Sequence, residues 1–433
     1  MSKNKLSPAL INEISEFIKS LNVVEGTSGE TEYDLFFSQA DEGTLFLSGK
    51  EAIQYRQCLK LLIDAIDDEG ISPKTIETLY QKTILTTLDI HEKRRDKPFG
   101  ERLKVAIVAI EELRSSLTAK STTFSVYYPV FGLALDGLPV QVGNVLFCKF
   151  DDVHLENFLN FLNDYEGDES EKEKRMSFSD SIKQSEIRGK SAGLIDVQAF
   201  DNIAAKTLAL KELALTVDVI NFFSDIIPYQ KGHIYLPGNN ERLTINIPII
   251  SKGEKPNLTF GWEVAGPLMP FSFPQLLEND KKRGWGFSKI ANLLAKKRNR
   301  LEDKIVSAIQ WAGKATIESK KEEAFLLYAI SLESLILLDN EKEELGYRLR
   351  TRVAHLLGSD LENRMKISNK VRDLYTVRSK IVHSGSYQVT DADISLIRSY
   401  SKNCILRIVN SEPFSSMNSV DSLVQWFNEK ILS

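Results

Sequence analysis

The chain has 433 residues, enough for two or three domains of ordinary size, and 42% of them are hydrophobic, which argues against wholesale disorder. The formal net charge of −5 excludes a uniformly basic nucleic-acid coat, yet the charge is uneven: residues 281–433 hold about 26 Lys and Arg against about 18 Asp and Glu, and the rest is acidic by roughly 13. The three cysteines are too scattered for a disulfide framework or zinc knuckle, the N-terminus lacks an unbroken apolar signal segment, and no run of about 18 apolar residues occurs, so a cytoplasmic protein with no membrane partner is expected.

Residues 1–120 read mainly as helices, with apolar positions at helical spacing over 51–66 and 101–117. Residues 121–290 read as an α+β region. Its first part, 122–150, is rich in β-branched and aromatic residues and punctuated by Asp136-Gly137 and Gly143-Asn144, so strands joined by tight turns are expected. Residues 163–190 are charged and poor in apolar side chains, as in a solvated loop. A strand over 194–200 and a long helix over 202–226 follow, then three short strands within 232–263. Past Phe273-Pro274 the pattern is helical almost throughout, with segments at 311–319, 321–339, 346–358, 369–385 and 391–410. The short connections favour an antiparallel bundle. The expected fold is an α+β N-terminal portion followed by an all-α domain over 291–433.

One constellation in the helical part suits chemistry. Arg378 and His383 stand five residues apart near a helix end. An imidazole takes a proton from a ribose 2′-hydroxyl near neutral pH, and a guanidinium holds a phosphate by paired hydrogen bonds as its charge grows. Such a pair cleaves RNA without metal, leaves a 2′,3′-cyclic phosphate and spares DNA. The spacing alone is weakly specific: Arg350 and His355 share it, and Arg348 and His355 lie seven apart. A regular helix also turns five positions through about 500°, leaving the two side chains roughly 140° apart with about 7.5 Å of rise. Convergence therefore needs His383 to lie where the helix ends, which the following Ser384-Gly385 allows, or a second copy to bring its own pair across a two-fold axis.

The flanking sequence is more informative than the gap. The run Leu374-Tyr375-Thr376-Val377-Arg378-Ser379-Lys380-Ile381-Val382-His383 resembles the signature of the HEPN superfamily in its Apea-like branch. Tyr328 to Leu335 resembles that family's early helix with an acidic residue, Glu333, on its apolar side, and Tyr347 to Ala354 its middle helix. The resemblance spans roughly 300–433. It implies a HEPN helical bundle and a metal-independent endoribonuclease of the anti-phage or abortive-infection kind. By that resemblance Arg378 and His383 are catalytic, Ser379 takes the polar position after the Arg, and a homodimer forms through this domain. The substrate would be RNA, tRNA or another structured RNA included, and an unidentified trigger would act on the N-terminal portion. The alternative is a non-catalytic HEPN module that binds RNA or a nucleotide, or simply dimerises.

Around this pair, Glu333 lies on an apolar helix side and needs a cation, either Arg378 or the structural partners Arg350 or Arg352. Tyr375 packs in the core or stacks on Arg378 or a base. Lys380, Arg350 and Arg352 are candidate phosphate contacts. The segment 281–300 carries eight basic residues and no acidic one, with Trp285 and Phe287 among them. It suits a single-stranded RNA path that includes Lys296, Lys297 and Arg298, or else an interdomain helix facing water. The absence of CxxC, HExxH, EF-hand and Walker patterns gives an expectation of no metal and no cofactor.

Overall fold

A computed structural model describes residues 7–21, 35–39, 43–47, 49–66, 70–93, 122–135, 137, 139–149, 191–226, 232–236, 271–338, 341, 344–384 and 388–432. The sequence expectations at 101–117, 163–190 and 241–263 lie outside these residues. The described chain is mostly helical, with a small antiparallel sheet in the N-terminal half and a wholly helical C-terminal part.

It forms two compact units, residues 1–126 with 196–209 and residues 127–195 with 210–433. Strands β3 (Thr122–Pro129) and β7 (Ser191–Ala199) and helix α4 (Asn202–Ser224) each have residues in both units.

The first unit contains α1 (Pro8–Ser20), the antiparallel hairpin β1 (Leu35–Gln39) and β2 (Gly43–Leu47), α2 (Gly49–Ile66) and α3 (Pro73–Lys93). Ser7 caps α1 by accepting from the Leu10 amide. Ile14, Phe17, Tyr55, Leu62, Tyr80 and Ile84 recur at helical spacing and bury together, with the Tyr55 and Tyr80 rings stacked 5.4 Å apart.

In the second unit, β4 (Leu133–Ala134), β5 (Val140–Val142), β6 (Val145–Lys149) and β8 (Phe271–Ser272) accompany the C-terminal parts of β3, β7 and α4. The four-stranded sheet runs in the order β3-β7-β6-β5, with β5-β6 and β6-β7 antiparallel. The β5–β6 turn is the expected Gly143-Asn144, with Gly143 at φ 60°, where a side chain is disfavoured. Helices α5 (Phe273–Arg283) and α6 (Phe287–Leu294) pack through phenylalanines: Phe287 meets Phe223 of α4 edge-on at 5.3 Å and Phe273 of α5 at 5.8 Å, and Phe273 meets Phe147 of β6 at 6.3 Å.

The remaining helices are α7 (Arg300–Ile317), α8 (Lys321–Ile336), α9 (Leu345–Leu357), α10 (Leu361–Ser384), α11 (Asp391–Asn410) and α12 (Val420–Leu432). Capping boxes start two of them: Asn299 with Glu302 on α7, and Thr390 with Asp393 on α11. Helix α8 is apolar on nearly every side because it packs against α7 and α11 and also meets α10. Its one deep polar residue, Ser331, is satisfied by the Ala308 carbonyl at 2.7 Å and the Ser401 hydroxyl at 2.8 Å. Gly313 is required where α7 crosses α4, since a Cβ there would fall 1.9 Å from the Asp218 carbonyl oxygen.

Candidate functional site

The end of α10 carries both residues of the sequence constellation. Leu374 and Val377 bury that helix on one side, and Arg378, half-buried, lies beside this face. Its guanidinium crosses to α8, with Nε 3.1 Å from Glu333 Oε1, off the line a hydrogen bond needs, and Nη2 donating to Oε2 at 3.4 Å. Burial raises the Glu333 carboxyl above its ordinary range, and Arg378 opposes that rise. Of the partners weighed from sequence, Glu333 therefore takes Arg378 and neither Arg350 nor Arg352.

His383 is exposed, and α10 continues through Ser384. His383 thus stands in the last turn, where the helix ends, and both residues keep helical positions. Helical geometry leaves them about 140° apart, Arg378 toward the bundle and His383 on the outward face. Val382 beside it is 50% exposed. Ser379 is half-buried and Lys380 exposed. Tyr375 packs on the start of α9, where a Cβ on Gly346 would lie 3.0 Å from its ring, so close approach rather than base stacking explains it.

The other candidate phosphate contacts are placed very differently. Arg352 is 3% exposed, donates to both Glu341 oxygens at 2.6 and 2.7 Å and to the Ile336 carbonyl at 3.0 Å, and so faces the interior rather than solvent. Leu349, Val353 and Leu356 share its stripe, a signal of burial that the sequence already contained. Arg350 is half-buried with its guanidinium 5.1 Å from the Tyr347 ring centre. Within 281–300, Lys296 pairs with Glu302 at 2.8 Å and Arg298 with Asp303 at 2.7 Å, both in the first turn of α7. Lys297 is exposed. Phe287 is buried at 2% exposure among the phenylalanines, so it offers no face to a base; Trp285 is half-exposed.

Sequence reading missed a buried charge cluster on α11. Arg398 and Lys402 both sit on the Asp225 carboxylate just after α4, Arg398 Nε donating to Oδ2 at 2.7 Å. Burial pushes the Lys402 ammonium down to about 7, and the adjoining carboxylate opposes that drop. The signal available was two cations four apart on one helix face, which repel unless an acid lies between them. His233 stands nearby, its Nδ1 3.3 Å from Ser224 Oγ. Among the described residues no three His, Cys, Asp or Glu side chains gather as a metal site, and no helix is long and apolar enough to cross a membrane. Cys58, Cys148 and Cys404 are buried and unbridged.

Set against known protein families, curated proteins and solved structures, the chain matches none of them.

Proposed function

We propose that the C-terminal helices act as a HEPN-like, metal-independent endoribonuclease that works as a homodimer, with an abortive-infection type of role. The observation that carries this reading is the division of labour on α10: Arg378 is aimed and held by Glu333, while His383 stands exposed on the outward face. A buried-side guanidinium with a carboxylate brace is preorganised for a phosphate, and an exposed imidazole is available as a base. Because one helix separates the two, the site is composite: the base reaches the scissile phosphate from a second copy across a two-fold axis.

The test uses total RNA in EDTA. Wild type releases fragments ending in 2′,3′-cyclic phosphate, and neither Arg378→Ala nor His383→Ala does. Mixing these two inactive variants restores about a quarter of wild-type activity if Arg and His come from different copies of a two-fold dimer, and none if they act within one copy. Cleavage that survives His383→Ala defeats the proposal.

A second reading, a non-catalytic module that binds RNA or dimerises, is favoured by the same divergence, since an Arg–Glu pair between packed helices also serves stability alone. Retained RNA binding with no cleavage by wild type, even in phage-infected cells, selects it.

A further inference from the structure

A concavity of about 740 Å³ opens where the C-terminal ends of α9 and α11 meet α12 and the loop that follows α5. It is of a size typical for small-ligand sites, and no acidic side chain lines it. Two indoles, Trp285 and Trp426, are only half-buried on its walls, and Arg407 and Asn403 are exposed there.

Trp285 is held out by a rigid device. Just beyond it, the buried Asp280 carboxylate accepts from the amides of Gly286, Phe287 and Ser288 and from the Ser288 hydroxyl, at 2.8–3.0 Å, which anchors the first turn of α6. Gly286 adopts φ 90°, and a Cβ there would lie 2.6 Å from Asn410 Oδ1. Asn410 in turn donates to the Trp285 carbonyl at 2.8 Å. The backbone at Trp285 is thus fixed, and its half-buried ring, with the Arg283 guanidinium 5.5 Å from its centre, borders the cavity rather than the core.

The polar lining is mixed in a way that suits a base edge. Asn403 supplies amide donors and an acceptor. His355, also in the lining, has a buried Nδ1 with no hydrogen-bond partner. Among the described residues, Arg407 is the one cation of the lining.

We propose that this cavity binds a nucleotide, its base against Trp285 and Trp426 and its phosphate toward Arg407. Stacking on indoles needs a flat ring, Asn403 needs a partner with both donors and acceptors, and the arginine needs an anion. A free nucleotide and an unpaired nucleotide within RNA share this chemistry. The inference does not depend on cleavage.

The full chain is titrated with AMP, adenosine, ribose 5-phosphate and the hexamer r(A)6, read by tryptophan fluorescence and by calorimetry. AMP and r(A)6 bind saturably, adenosine more weakly, and ribose 5-phosphate does not. Arg407→Gln, at an exposed position, weakens AMP about tenfold and leaves adenosine unchanged. Trp285→Leu weakens both by about tenfold or more. Tighter binding of r(A)6 than of AMP identifies RNA as the source; the reverse identifies a free nucleotide. The r(A)6 titrations use the His383→Ala chain, which does not cleave the probe, and the loss caused by Arg407→Gln and Trp285→Leu in that background separates this site from the cleavage proposal. No saturable binding of AMP or r(A)6, or binding that both substitutions leave untouched, overturns the inference.

Discussion

Replacing Arg378 by alanine removes the cation beside Glu333, a carboxylate whose side chain is 21% exposed. The pair lies between a surface salt bridge, worth at most about 1 kcal/mol, and a buried one, whose breaking costs about 3–5 kcal/mol, so a loss of about 1–3 kcal/mol at pH 7.5 follows. The sign of its pH dependence is distinctive. Burial already raises the Glu333 carboxyl and Arg378 holds it back, so losing Arg378 raises it further. A carboxyl raised in the folded state takes up its proton at higher pH than in the unfolded chain, and stability then falls as pH rises through that window. The Arg378→Ala deficit is therefore largest near pH 7.5 and shrinks toward pH 5. Urea unfolding of wild type, Arg378→Ala, Glu333→Gln and the double variant at both pH values measures it as a double-mutant cycle. A deficit equal at the two pH values, or a coupling of zero, refutes the reasoning. Cleavage assays on the same four proteins separate function from stability: Glu333→Gln lowers cleavage if the carboxylate aims the guanidinium, and leaves it unchanged if the pair only ties α8 to α10.

Glu341→Ala strands the buried Arg352 guanidinium and destabilises by about 3–5 kcal/mol in urea unfolding, whereas Arg348→Ala, whose side chain is 42% exposed, costs about 1 kcal/mol or less. Asp218, raised by burial to about 7 despite Lys314 and Gln310, favours the folded state most when protonated, so stability declines as pH climbs from about 4 to about 7. Asp218→Asn flattens that slope in thermal melts across the same range; an unchanged slope assigns the proton uptake elsewhere.

The elements of the C-terminal part were legible because their signals are local. Apolar spacing marked α8, α9, α10 and α11, and the Thr390 cap stands just before the segment expected over 391–410. The Gly143-Asn144 turn was equally local. Partnerships were not. Arg352 looked like a phosphate contact because its acid, Glu341, lies eleven residues back across a helix connection, and Phe287 looked like a stacking residue because its core neighbours belong to α4 and α5.

Sequence by itself determined that the chain past Phe273 is helical, where several of its helices begin, and that Arg378 and His383 share one late helix, since those features follow from a few neighbouring residues and the 3.6-residue period; it did not show the β1–β2 hairpin, which lies in a stretch that reads as mainly helical. Only the tertiary structure decided that Glu333, 45 residues before Arg378, is its partner, that Asp225 sits under Arg398 across 173 residues, and that His383 stands exposed in the last turn of α10. The physical reason is that a buried charge takes whichever opposite charge packing brings within reach, and spacing along the chain does not specify that neighbour.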